Sequence, residues 1–243
     1  NKVGSHGNDQ RKLGIGVELL YNEIDFNNVK QSLISMLTGA KAHNVPIFIS
    51  LDGFHWWDNI PGNLWNNPNN VEWTCGNPSC ALTESWRNWG TEFAVKPHPN
   101  LASRAFIDTN KARQSELISI IANWYNDLAT SQKWLFGGIA LGIEIDVGGN
   151  FYYPKGGVAT SKQLGFAAVN TLGLSGVNTT NINEVVRRYL NELDKSAFDG
   201  GIPRNKIFNH VGGVDLFPRQ NNLVVQTAES AISTYGNPGW TFY

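Results

Sequence analysis

Three consecutive segments constrain the fold more than any other feature. Residues 13–20 (LGIGVELL) are a compact apolar run with Gly at two positions. Residues 26–43 (FNNVKQSLISMLTGAKAH) place Phe26, Val29, Leu33, Met36 and Leu37 at helical spacing, and residues 45–51 (VPIFISL) are a second β-rich run. The periodicity predicts strand, helix, strand, with Asn44 and Pro46 as the helix stop. Such a succession is a βαβ unit, and apolar runs without alternation suit a parallel sheet buried on both faces.

The rhythm returns after an interruption. Residues 109–130 predict a helix with Leu117, Ile120, Ile121, Trp124 and Leu128 on one face, and residues 134–145 (WLFGGIALGIEI) predict the strongest strand. Helices are expected near 161–172, 183–197 and 221–235, and short strands at 207–209 and 240–243. Alternating strands and helices with irregular segments after the strands predict an α/β fold, a (β/α)8 TIM barrel, with an open doubly wound sheet as the alternative. Residues 1–243 read as one barrel domain carrying a long Trp-rich loop insertion at about 52–100. About six strands can be placed, and the chain stops in an apolar run, as a barrel incomplete at its C-terminus would.

Charge excludes several functions. Lys and Arg number 19 against 20 Asp and Glu, a net charge of -1 with only 16% of residues charged, so no basic footprint predicts nucleic acid or an anionic membrane as partner. No apolar run approaches the ~20 residues that span a bilayer. Amide side chains replace the charge, with 29 Asn among 243 residues, a composition frequent in extracellular proteins. Cys75 and Cys80 flank the turn-forming run Gly76-Asn77-Pro78-Ser79, which favours a disulfide over a metal pair or free thiols. Asn178-Thr179-Thr180 is a glycosylation sequon, or a chance match in an Asn-rich chain. Together these features predict a secreted, extracellular protein. A start at Asn1 with no Met and no signal h-region reads as a processed or incompletely represented product.

In a (β/α) barrel the chemistry sits just past each strand. That position is held by Glu18 after the first strand, by Asp52, His55, Trp56 and Trp57 after the second, by Glu144 and Asp146 after the strongest, and by His210 after 207–209. Acids, imidazoles and indoles suit a sugar. Glu144 is the candidate catalytic residue: an apolar strand runs into a carboxylate with no Lys or Arg nearby in sequence, an environment that disfavours its charge and suits a general acid. The competing reading is a Glu that caps a loop. Six of the nine Trp fall within residues 56–89, where indole faces could stack on pyranose rings or form the loop's own small core. Asp52, His55, Trp56, Trp57, Asp146, Tyr152 and His210 are the candidate substrate-binding residues; no metal site and no cofactor is expected.

The segments FISLDGFHWWDN, VEWTCGNP, SWRNWG, GIALGIEIDVGGNFYYP, IFNHVGG and NPGWTFY resemble the strand ends of clan A glycoside hydrolases, above all the β-galactosidase-like and less characterised families of that clan. The resemblance spans about residues 13–243 and implies a (β/α)8 fold, retaining hydrolysis of a β-glycoside, an oligo- or polysaccharide as partner, and Glu144 at the end of the fourth strand as acid/base. Two departures stand out: Ile143 occupies the place of the clan's usual Asn, and no counterpart of its nucleophilic Glu is found before Tyr243. The alternatives are a catalytically silent extracellular structural or interaction protein on the same barrel, which admits self-association, and a carbohydrate-binding protein without turnover.

Overall fold

The computed structural model describes residues 13–22, 25–55, 57–88, 91–147, 162–210 and 223–239. Strand β1 (Ile15–Leu20) leads through helix α1 (Phe26–His43) to β2 (Ile47–Asp52). The long segment that follows contains an antiparallel hairpin, β3 (Ser85–Asn88) with β4 (Glu92–Val95), before α2 (Arg104–Asn126) returns the chain to β5 (Phe136–Leu141). Helices α3 (Phe166–Thr171) and α4 (Thr179–Asp199) precede β6 (Ile207–Asn209), and β7 (Asn237–Pro238) closes the order.

Local chemistry explains the boundaries. Asp25 caps α1 by accepting from the N–H groups of Asn27 and Asn28 at 2.8 and 3.2 Å, and Asn44 ends the helix in the left-handed region at φ 55°. Ser103 caps α2, so this helix begins five residues before the apolar period becomes visible. Asn178 caps α4 through Asn181 N–H at 2.9 Å, which gives that sequon residue a structural role. Of the helix expected near 221–235, the described residues show a single 3-10 turn at Ala228–Ala231.

The large sheet has the order β1-β2-β5-β6-β7, every neighbouring pair parallel. Each strand joins beside its predecessor in chain order, and α1, α2 and α4 pack in the same succession. A doubly wound sheet would reverse direction, and among the described residues no such reversal is seen. Four of the expected strands are thus parallel neighbours; the fifth, 240–243, lies outside the described residues. The complete eight-stranded barrel is not seen either: among the described residues the parallel sheet holds five strands, with β1 and β7 at the edges.

Side-chain alternation divides the sheet. Ile47, Ile49, Leu51, Ile139, Leu141 and Ile207 face the helices and merge with Leu33, Leu37, Phe106, Leu117, Ile121, Tyr189 and Leu190 in one core. Glu18, Phe48, Ser50, Asp52, Ala140 and Phe208 alternate with them and share the opposite face, where the Phe48 and Phe208 rings meet at 5.7 Å.

The Trp-rich segment is held by specific ties. Cys75 and Cys80 form the expected disulfide around the turn Pro78–Cys80, and Trp73 bridges Ala81. Closing so small a loop contributes about 2 kcal/mol on the chain-entropy account. Glu72, fully buried, accepts from Gly165, Ala167 and Ala168 N–H at 3.0–3.2 Å and so pins this segment to the start of α3.

Burial outweighs those N–H bonds and lifts the Glu72 carboxyl from 4.5 to about 7. The folded state therefore keeps a proton that the unfolded chain releases, and this group's contribution to stability is lost as pH rises from about 4.5 to about 7. Thermal unfolding of Glu72→Gln across pH 4.5 to 8 is expected to show that part of the wild-type slope removed; an unchanged slope would contradict the assignment.

Candidate active site

Asp52, the last residue of β2, is the site's foundation. Its side chain is fully buried. Oδ1 accepts from the N–H groups of Phe54 and His55 at 2.9 and 3.0 Å, which folds the chain back immediately beyond the strand. Gly53 is required in that turn because a Cβ there would lie 1.8 Å from the Tyr21 hydroxyl oxygen. The folded-back chain delivers His55 Nδ1 to Asp52 Oδ2 at 2.5 Å. A carboxylate can only accept, so Nδ1 carries the proton and Nε2 points the other way, toward Glu144 Oε2 at 3.8 Å.

Glu144 reaches that position by an unusual turn. After β5 the backbone passes through the left-handed region at Gly142, φ 65°, and again at Glu144, φ 50°. Glycine accepts this conformation; a Glu does so at a cost of about 1 kcal/mol or more. Ile143 and Ile145 on either side are buried, and Gln226 holds the next stretch by donating to Ile145 O at 2.7 Å and accepting from Val147 N–H at 2.9 Å. The carboxylate between them stays 32% exposed.

Glu18 completes the group; it lies within β1 and not after it as expected, beside Ser50 of β2. Solvent reaches its side chain, yet the protein strips enough water from it to raise the carboxyl above its ordinary value; the carboxylates of Asp52 and Glu144 add to the rise and His55 opposes it. His210, just past β6, anchors its N–H on Leu141 O at 3.2 Å. Burial lowers the pKa of its ring, with Asp52 pulling the other way.

The structure therefore brings together Glu18, Asp52, His55, Glu144 and His210 at the carboxyl edge of the sheet, and it corrects two expected roles. Asp52 lies beneath the surface with both oxygens engaged, so it supports the site rather than touching a sugar. Trp57 is not a cleft wall: it is 3% exposed, meets Phe106 edge to face at 5.4 Å and donates its indole N–H to Pro97 O. Trp73 is likewise internal, with its N–H on Pro68 O. An indole in a sequence carries no sign of which side of a loop it occupies. Asp146 faces His98 Nδ1 at 3.9 Å, and the Phe54 ring lies edge to face with both His55 and His98. Trp56 and Tyr152 lie outside the described residues.

Sequence reasoning missed the support below the site. Asn22 donates to Gly53 O and Asn110 Oδ1, and Arg113 donates to Tyr21 O and Asn22 Oδ1, tying the ends of β1 and β2 to α2. These contacts cross 31 to 92 residues and leave no local pattern. Among the described residues no group of three or more His, Cys, Asp or Glu is arranged to hold a metal ion.

If Glu144 is kept for chemistry despite its backbone, replacement by a residue at ease in the left-handed region should not destabilise the fold. Urea unfolding of Glu144→Asn is expected to show stability equal to the wild type or up to about 1 kcal/mol higher, whereas Glu144→Val should lose stability. A clear loss in the Asn variant would mean that the carboxylate serves the fold.

No family model matches this chain, and no curated protein matches it in sequence, so the functional reading rests on the chemistry of the site itself.

Proposed function

We propose that the five parallel strands are successive units of a (β/α)8-type barrel and that the protein is a secreted hydrolase of β-linked glycosides. The arrangement that carries this reading is the pair Glu18 and Glu144: one carboxyl from within β1 and one from just past β5 lie toward the same edge of the sheet, and the Glu144 charge adds to the rise in the Glu18 pKa. Glycoside hydrolysis by retention needs such a pair, one carboxyl protonated and one ionised, on the two sides of the scissile bond. The Glu18 carboxyl, raised by burial and by its acidic neighbours, suits the acid that protonates the leaving oxygen. Glu144 then attacks the anomeric carbon as the nucleophile, and Glu18, now ionised, takes the proton from the water that releases the sugar. This assignment supplies the second carboxylate, and it moves the acid role from Glu144 to Glu18.

Three further features support it. The strands' carboxyl ends are where barrel enzymes assemble their sites. His210, just past β6 and under the influence of the Asp52 charge, adds an imidazole to the same edge. The Cys75–Cys80 disulfide fits an oxidising compartment. In the described sheet the strand leading to Glu144 is third in order, where the clan A resemblance implies a fourth, so the reading rests on the pair of carboxyls and not on strand count.

Hydrolysis of aryl and unactivated β-glycosides tests the proposal. Glu18→Gln and Glu144→Gln should each lower turnover of unactivated substrates by about 10²-fold or more. A dinitrophenyl leaving group, which needs no proton, should restore formation of the glycosyl-enzyme in Glu18→Gln but not in Glu144→Gln. Wild-type protein that binds β-linked oligosaccharides without cleaving any would point to a carbohydrate-binding protein; protein that does neither and self-associates would favour the silent structural alternative.

A further inference from the structure

We propose that Asp194 is a proton-operated latch: carrying a proton, it holds the end of β6 and the chain over residues 230–236 against α4, and losing that proton loosens them. The latch belongs to the frame of the site and does not depend on which carboxyl attacks a sugar.

Asp194 lies on the buried face of α4 and is fully covered. Its neighbours supply few donors. Asn209, the last residue of β6, donates its amide to Asp194 Oδ2 at 2.9 Å and to Ala231 O at 3.1 Å, which uses both amide protons. Ser233 turns a hydroxyl to the carboxyl, but its one proton is contested by Asn191 Oδ1 at 3.4 Å. Among the described residues no hydrogen bond reaches Asp194 Oδ1 or Asn209 Oδ1. Gly236 packs over the carboxyl so closely that a Cβ there would lie 2.4 Å from Oδ2. Asp52, equally buried, is given two backbone N–H groups and an imidazole. Asp194 has no such set. Both oxygens left over are acceptors on groups already joined to each other, and a proton on Asp194 is the donor that this pair can supply.

Surrounding charge does not replace that proton. Arg204, from the turn before β6, attracts the carboxyl, but its guanidinium is exposed and donates to Thr234 O and Gly236 O. On α4 itself Glu192 is paired with Arg104 and Lys111, and Lys195 with Asp199. Glu229 on the 3-10 turn is exposed, Lys206 donates to Phe136 O, and the ring of His210, next along from Asn209, is drawn by Asp52. Burial dominates and lifts the Asp194 carboxyl from 3.8 to about 6. The folded chain keeps a proton that the unfolded chain releases, so the latch is complete below about 3.8 and is lost as pH rises through about 6.

What it grips bears on the site. Asn209 O accepts from Gly239 N–H at 2.9 Å beside β7, and Asn209 leads directly into His210, whose own N–H rests on Leu141 O. The carboxyl edge at β6 is therefore held most firmly in a mildly acidic medium.

Nuclear magnetic resonance of the Asp carboxyl carbons and amide hydrogen exchange test this without any substrate. The Asp194 signal should titrate near pH 6; a midpoint at the ordinary value of about 4, or below it, would overturn the proposal. Between pH 4 and pH 7 the protection factors of the amides in residues 230–237, corrected for the chemical rate of exchange, should fall by up to about 10²-fold in the wild type. Asp194→Asn keeps an acceptor for Asn209 and puts a neutral amide where the protonated carboxyl stood, so its protection should stay level over the same range. A merely structural Asp194 would give both proteins one profile. Equal profiles, or wild-type protection that ignores pH even though the carboxyl titrates near 6, would overturn the latch. Should Asp194→Asn fail to fold, the wild-type titration and exchange together decide.

Discussion

Parallel pairing in register is the constraint from which the other features follow. Leu19 opposite Leu51, Ile49 opposite Ile139 and Ile139 opposite Ile207 align four strands so that their apolar residues meet the helices together and their last residues finish at one edge. A slip of one residue would turn Asp52 and Ser50 into the helix-facing core and bring Leu51 and Ile49 out, which burial forbids. The same register that buries the core therefore collects Asp52, Glu144 and His210 beside Glu18. Packing and chemistry are set by one choice.

At that edge electrostatics is managed by layering. A buried carboxylate is tolerated only when its oxygens are occupied, and Asp52 meets this condition with two backbone N–H groups and one imidazole. It influences Glu18 and His210 without being reachable itself. The outer carboxyls, Glu18 and Glu144, remain accessible to water. The left-handed backbone at Glu144 belongs to this arrangement, since it lets a residue flanked by two buried isoleucines keep its side chain at the surface.

Much of this was legible in the residues. The apolar runs of β1, β2 and β5 and the stripe Val29, Leu33, Leu37 of α1 announce themselves because burial on one side imposes a period. Looking just past those runs leads to Asp52, His55, Glu144 and His210. What failed to show has a common cause, dependence on distant partners. The hairpin of Ser85–Asn88 with Glu92–Val95 has no apolar alternation to betray it. Glu72 looks like an ordinary loop acid until the start of α3, more than ninety residues on, comes to meet it. Trp57 resembled a sugar platform because an indole between Trp56 and Asp58 gives no hint that Phe106 will cover it.

The central claim, that Glu144 and Glu18 work as a pair with Glu144 as the nucleophile, is tested most directly by trapping the intermediate. Incubation with activated 2-deoxy-2-fluoro-β-glycosides, followed by mass spectrometry of the peptides, should find one sugar attached to Glu144. Attachment to Glu18, or no attachment at all by a protein that hydrolyses the parent glycosides, would contradict the account.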